Sequence, residues 1–201
     1  GAIDFHMSAG VTARRRMRAL IDAWWPHLDD AEGIVFSASG CGAMLKEYEH
    51  VLAEDEAYRD KARRMAESAR DLSEILFAER DRLRAACEPA GGRRVAFHSP
   101  CTLQHGLGVR GTVESLLHEL GFELAPVPDA HLCCGSAGTY SILQPELSQQ
   151  LRLAKQAALN SGGPDEILSA NIGCLMHLRS GMRKRIRHWI EAVDERLAKL
   201  V

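Results

Sequence analysis

Short apolar segments alternate with longer amphipathic segments along this chain. Longer segments space their apolar residues as helices do, as in 13–25. Four segments have the length and composition of buried strands: 33–38, 94–98, 122–127 and 166–170. Two parallel strands need a crossover between them, which is usually a helix. The alternation therefore predicts an α/β fold in which parallel sheet layers are flanked by helices.

The chain also carries a boundary signal and a weak internal repeat. Charge patterning predicts one long helix over 56–86, and the Pro- and Gly-rich segment 89–92 follows it. We therefore predict two domains, 1–88 and 89–201. The segment 38–42 resembles 170–174, since each places a glycine and a cysteine after a strand, which indicates related units. Apolar residues at helical spacing predict a C-terminal helix that includes Ile186 and Trp189.

Composition narrows the class of protein. The formal net charge of the 201 residues is -2, with both signs mixed, so no basic stripe suggests nucleic acid as a partner. The longest apolar runs are a few residues, far below the roughly 20 needed to span a bilayer. A signal-peptide pattern is also absent. We therefore expect a soluble, cytoplasmic protein.

The cysteine spacing indicates a site. The pattern is C-x31-CC-x39-C-x2-H, formed by Cys101, Cys133, Cys134, Cys174 and His177. In a reducing compartment such thiols are more often metal ligands or redox groups than disulfides. Each segment is rich in small residues, and we place each after a strand, at the edge where open parallel sheets bind ligands. Four thiolates suit an iron–sulfur cluster or zinc.

Several alternatives stay open from the residues alone. The cysteines can be buried apolar residues, structural zinc ligands or a thiol–disulfide pair, although adjacent cysteines form a strained bridge. His177 can be a fifth ligand, a partner of a ligand or a residue on a helix face. His98 and His105 flank Cys101, and His105 can donate a hydrogen bond to a cluster sulfide or be an ordinary histidine. Cys87 is interpreted as a bystander thiol.

Three segments resemble a known module. Residues 101–106, 132–140 and 169–174 are similar to the cysteine-rich CCG module, in the version found in the glycolate oxidase (glycolate dehydrogenase) iron–sulfur subunit family. Segments 21–26 and 38–48 resemble the same family. The resemblance implies that 89–201 is a complete second module and that 1–88 is the C-terminal part of the first. Cys41 would then be the last cysteine of an incomplete module.

The resemblance also implies a function. Cys101, Cys133, Cys134 and Cys174 would hold an iron–sulfur cluster of the 4Fe-4S type, with Cys41 and His177 as further candidate ligands. The chain would be the electron-transfer subunit that serves flavin-containing subunits oxidising glycolate to glyoxylate. That complex would be cytoplasmic or peripheral at the inner face of the membrane. No catalytic residue is implied, and the fragment alone would be inactive.

Two outcomes for the metal are compatible with the resemblance. The cluster is either retained in this fragment or lost, which leaves free thiols. The alternative function is a zinc-stapled or metal-free scaffold that docks the catalytic subunits. Iron and sulfide assays distinguish an iron–sulfur protein from a zinc protein.

Overall fold

The computed structural model describes residues 2–197. The chain divides into two compact units, Gly1–Leu72 and Ser73–Val201. The boundary expected between residues 88 and 89 lies inside the second of these units. The assignment of the two parts to an incomplete and a complete CCG module remains a prediction.

The first unit is a helical unit around one pair of short strands. Its helices and strands are α1 Ala2–His6, α2 Gly10–Trp24, β1 Ile34–Phe36, α3 Ser39–Lys46, α4 Tyr48–Val51, α5 Arg59–Ser68 and β2 Ala69–Asp71. The two strands pair in parallel, with Ile34 opposite Ala69. Met17 and Met65 are among the residues buried in its core. The parallel pair confirms the expected connection through helices.

The single helix predicted over 56–86 is wrong. After α5 the chain forms strand β2, and then α6 (Leu72–Ala78) and α7 (Arg80–Ala86). Ala69 and Asp71 are buried while Arg70 between them is exposed, which is the alternation of a strand. Backbone pairing with β1 therefore outweighs the helical preference of this charged segment, because tertiary context overrides propensity.

The second unit contains a four-stranded sheet. Its elements are β3 Arg94–His98, α8 Thr112–Glu119, β4 Glu123–Leu124, α9 Tyr140–Leu143, α10 Pro145–Ser161, β5 Glu166–Ser169, α11 Ile172–Arg179, β6 Ile186–His188 and α12 Trp189–Asp194. The strand order is β4-β3-β5-β6, and every neighbouring pair is parallel. The predicted α/β class with parallel sheets and flanking helices is confirmed.

The two central strands, β3 and β5, set the position of the candidate site. All four residues of β5 are buried, as are Val95 to His98 of β3, which is typical of parallel strands covered on both faces. His98 lies opposite Ser169, so the two strands end together. The Ser169 hydroxyl donates a hydrogen bond to the His98 carbonyl at 3.0 Å. The segments that carry Cys101 and Cys174 therefore leave the sheet at the same edge.

The C-terminal segment differs from its prediction. Ile186 belongs to β6, which pairs with β5, and only from Trp189 does the chain become helical. His188 and Glu191 form a capping box that begins α12 after the strand. Within residues 2–197, none of the helices is both long enough and apolar enough to cross a membrane.

Candidate metal centre

The first cysteine segment begins where β3 ends. Cys101 follows Pro100 and precedes a π-helical turn, Thr102–Gly106. The side-chain amide of Gln104 in this turn donates to the Ser99 carbonyl at 3.0 Å. Arg110 donates to the Gln104 carbonyl at 2.8 Å. These bonds fix the turn and therefore the position of the Cys101 sulfur.

The segment before Cys133 and Cys134 is held by a buried lysine. Lys155 of α10 donates from Nζ to the carbonyl of Asp129 at 2.7 Å and to that of Ala130 at 3.4 Å. Its side chain is almost fully buried. Burial lowers the pKa of Lys155, while the nearby Cys134 sulfur acts in the opposite direction. A cation is thus held close to the paired cysteines.

Gly135 shapes the turn after the paired cysteines. Its φ is +90°, and a Cβ at this position would lie 2.4 Å from the Ser148 carbonyl oxygen. The Ser148 hydroxyl donates to the Gly135 carbonyl at 2.8 Å. The Gly135 N–H donates to the Cys133 sulfur at 3.3 Å. Glycine is required here for both the backbone conformation and the close approach to α10.

The last cysteine lies near the start of α11. The Asn171 side-chain amide donates to the Cys174 sulfur at 3.6 Å. A Cβ on Gly173 would lie 3.2 Å from the Ser136 hydroxyl, so this glycine allows the turn after Cys134 to approach α11. The N-terminal turn of a helix also stabilises a thiolate.

The structure brings the four predicted cysteines together. The Cys101 and Cys133 sulfurs are 4.0 Å apart. The Cys134 and Cys174 sulfurs lie within 4.8 Å of each other, and interactions with Cys133 and Cys174 raise the pKa of Cys134. Cys134 and Cys174 are buried, whereas Cys101 and Cys133 are partly exposed, and all are free thiols. Sulfurs from three separate segments therefore converge at the carboxyl edge of the sheet.

The contacts among the sulfurs divide them into acidic and weakly acidic thiols. Hydrogen bonds with Cys101 and Cys134 lower the pKa of Cys133 to about 2. A hydrogen bond with Cys134 is the largest cause that lowers the pKa of Cys174 to about 5. The same contacts, together with burial, raise the pKa of Cys101 and of Cys134. Cys133 and Cys174 are therefore the two residues that favour the thiolate, which is the form that binds metal.

His98 is the residue that the sequence did not assign to the site. A ring nitrogen of His98 and the sulfurs of Cys134 and Cys174 all lie within 4.8 Å of one another, and all three residues are buried. Neither ring nitrogen has a hydrogen-bond partner among residues 2–197. The available signal was a polar residue that ends a buried strand shortly before the first predicted ligand.

The other predicted candidates lie in different surroundings. The ring Nε2 of His177 is 3.3 Å from the Ser148 hydroxyl oxygen, so it contacts the residue that holds Gly135. Cys41 is exposed in α3 of the first unit, where it is the only cysteine of residues 1–72. A ligand role for Cys41 and His177 stays a prediction.

Cys87 and His105, which the sequence analysis also considered, each make one defined contact. The backbone of Cys87 forms an isolated antiparallel bridge with Leu197. A ring nitrogen of His105 is 3.4 Å from the His131 carbonyl oxygen, so His105 contacts the segment that precedes the paired cysteines.

The donor set fits a thiophilic metal. Four sulfurs and one imidazole nitrogen are ligands of zinc, iron and iron–sulfur centres, whereas calcium and magnesium require oxygen ligands. The buried, unpaired nitrogens of His98 support the same conclusion, because an unpaired buried polar group is destabilising unless something satisfies it. The residues present therefore fit an iron–sulfur cluster or a zinc ion.

Comparison with known proteins agrees with this geometry. The Cysteine-rich domain family, CCG, matches residues 95–179, which include all four clustered cysteines. The chain is 50% identical over 200 residues to the glycolate oxidase iron–sulfur subunit of Escherichia coli, covering 99% of this chain and 48% of that protein. This chain therefore spans about half the length of that relative.

Shorter relatives are covered more completely. The lactate utilization protein A of Geobacillus kaustophilus is 32% identical over 176 residues, which are 83% of this chain and 72% of that protein. The protein of the same name from Bacillus subtilis is 26% identical over 193 residues, 92% of this chain and 77% of that protein. The chain therefore belongs to the family of cysteine-rich proteins that includes the glycolate oxidase iron–sulfur subunit and lactate utilization protein A.

Proposed function

We propose that this chain is the electron-transferring part of an iron–sulfur subunit in a glycolate-oxidising oxidoreductase. Cys101, Cys133, Cys134 and Cys174 hold the cluster, which is of the 4Fe-4S type. The observation that carries the proposal is the convergence of four free sulfurs from three segments at one edge of a parallel sheet. The name of the E. coli relative supports the cofactor and the substrate.

Each residue of the site has a defined task in this function. Cys133 and Cys174 are already acidic, so little energy is needed to deprotonate them for metal binding. The N–H of Gly135 donates to the Cys133 sulfur, and such bonds raise the reduction potential of a cluster. When bound, the cluster supplies one-electron transfer. The chain itself supplies ligands, hydrogen bonds and exclusion of water around Cys134 and Cys174.

The exposure of the cysteines indicates where electrons pass. Cys101 and Cys133 are partly exposed, whereas Cys134 and Cys174 are buried. Electron-transfer partners therefore approach the side of Cys101 and Cys133. The partner on the oxidising side is a flavin-containing subunit, because glycolate oxidation removes two electrons that a cluster accepts singly. The chain without such a partner is inactive towards glycolate.

The free thiols support the proposed compartment. All six cysteines are free, which supports a reducing, cytoplasmic environment. Electrons leaving the complex would enter a membrane electron-transfer chain, so the complex would lie peripherally at the inner face of the membrane.

Anaerobic reconstitution with iron and sulfide tests the cofactor. The wild-type chain should take up stoichiometric iron and acid-labile sulfide and give an electron paramagnetic resonance signal after reduction. Cys133→Ser should lose both, while Cys87→Ser, which removes a thiol outside the cluster, should keep them. Uptake of zinc in place of iron and sulfide by the wild type contradicts the proposal.

A zinc-stapled scaffold is the second candidate function. The close group formed by His98, Cys134 and Cys174 favours it, since zinc binds mixed nitrogen and sulfur ligands. The test uses the flavin-containing subunits together with Cys133→Ser. If the complex forms and electron flow continues, the chain is a scaffold. If the complex forms but electron flow stops, the electron-transfer function holds.

A further inference from the structure

His98 is deeply buried, and the polar groups beside its ring are the sulfurs of Cys134 and Cys174. It is 1% exposed, and neither ring nitrogen has a hydrogen-bond partner among residues 2–197. Leaving a buried polar group unpaired costs roughly 1–3 kcal/mol. Among the described residues, the other buried side-chain nitrogen without a partner is Nε of Arg152. An apolar residue would fill the same place in a strand at lower cost, so the imidazole needs another explanation.

The surroundings of the ring supply that explanation. A ring nitrogen lies within 4.8 Å of the sulfurs of both Cys134 and Cys174, and those two sulfurs lie within the same distance of each other. Metal–sulfur bonds are about 2.3 Å and metal–nitrogen bonds about 2.0–2.1 Å. Three donors at these separations can contact one ion after small movements. The three donor atoms therefore lie close to one common point.

The backbone fixes His98 in this position. It ends β3 opposite Ser169 of β5, and the Ser169 hydroxyl holds its carbonyl at 3.0 Å. Cys174 follows shortly after the end of β5, in α11. The imidazole therefore stands at the end of β3, and the Cys174 sulfur stands in the helix that follows the adjacent strand β5, so regular elements support both groups.

We propose that His98 is a nitrogen ligand of this centre and binds the same metal ion as Cys134 and Cys174. The three side chains form a mixed nitrogen–sulfur site for one thiophilic transition-metal ion. The site holds a single ion in the chain without its iron–sulfur cluster, because each iron of a 4Fe-4S cluster takes one cysteine.

Cobalt(II) is a suitable probe, because it enters zinc and iron sites and its absorption reports the ligands. Titrating the metal-free chain anaerobically with cobalt(II) should give thiolate-to-metal charge-transfer bands and the visible bands of a tetrahedral ion. His98→Leu should weaken cobalt binding at least about tenfold and shift the visible bands. The control His105→Leu, at a histidine that contacts the His131 carbonyl, should bind cobalt as the wild type does.

Thermal unfolding separates a ligand from a structural histidine. Without metal, His98→Leu should unfold at the same temperature as the wild type or higher, because the substitution removes unpaired buried nitrogens. With cobalt, only the wild type and His105→Leu should gain the full increase in Tm. If His98→Leu destabilises the metal-free protein and leaves cobalt affinity unchanged, His98 is structural and the proposal fails. Either outcome is independent of iron and sulfide uptake.

Discussion

Arg187 binds the carboxylate of Glu166 through two hydrogen bonds, from Nε at 2.7 Å and from Nη2 at 3.0 Å, and both side chains are 2% exposed. The pair joins the first residue of β5 to β6, and Cys174 follows the opposite end of β5. Its bidentate geometry satisfies the charges that burial removes from water. The stability of the β5–β6 pair of strands therefore depends on both partners.

Glu166→Gln should destabilise the second unit by about 3 kcal/mol, the low end of the loss for a broken buried pair, because the buried guanidinium keeps only the partly exposed Glu195 as a matching charge. Urea denaturation followed by circular dichroism measures the change. Glu123→Gln removes the partner of Arg94 in an exposed pair on the same sheet and should cost about 1 kcal/mol or less. Equal losses in the two variants would contradict the importance of burial.

Glu195 should make stability depend on acid pH. Hydrogen bonding to Arg187 is the main cause that lowers the pKa of Glu195 to about 2, from an ordinary value of 4.5. A lowered folded-state pKa adds stability above the ordinary value and loses it as the pH falls towards 2. Denaturation at pH 7, 4.5 and 2.5 should show the wild type converging on Glu195→Gln. A stability difference between the two proteins that stays the same at all three pH values would contradict a lowered pKa of Glu195.

Gly135→Ala should disturb the site more than a neighbouring glycine substitution does. An alanine Cβ would meet the Ser148 carbonyl oxygen at 2.4 Å and would occupy a backbone with φ +90°. We expect a loss of more than about 1 kcal/mol and reduced metal uptake. Gly138→Ala is the matched control, since its φ is +58° but no atom lies within 4 Å of the added Cβ. Similar metal uptake by both variants would contradict the close approach.

Lys155→Met should remove both a hydrogen-bond donor and a buried positive charge. The carbonyls of Asp129 and Ala130 lose its donor, at a cost of about 1–3 kcal/mol. Loss of the cation near Cys134 should also make the reduction potential of a bound cluster more negative, because a positive charge favours the reduced form. Thermal unfolding and a redox titration measure the two effects. Lys155→Gln keeps an N–H donor and should shift the potential while losing less stability.

The sequence predicted the strands best where burial dominates. Strand β3 has the predicted bounds, and β5 ends one residue earlier than expected, because apolar runs between turn signals are typical of central parallel strands. Strand β2 was hidden in a charged segment, since its existence depends on pairing with β1. Ile186 fits a helical face equally well, and only its pairing with β5 makes it a strand residue. The local sequence pattern does not reveal such long-range strand pairing.

The candidate site was likewise predictable only where the local sequence carries the signal. The cysteines were recognisable because their spacing and residue type are rare, and parallel strand ends explain why they meet. His98 was not, because a histidine before a cysteine is common and its lack of partners is visible only in three dimensions. The link between His177 and Ser148 is likewise a product of packing between α10 and α11.

The origin of the sulfurs in three separate segments links folding to metal content. An ion that joins positions 101, 133 and 174 acts as a removable cross-link, because the unfolded chain cannot hold those positions together. Binding to the folded form alone stabilises it by mass action. A partly loaded preparation should therefore melt as two populations, and the fraction in the upper transition would report occupancy without any assay of activity.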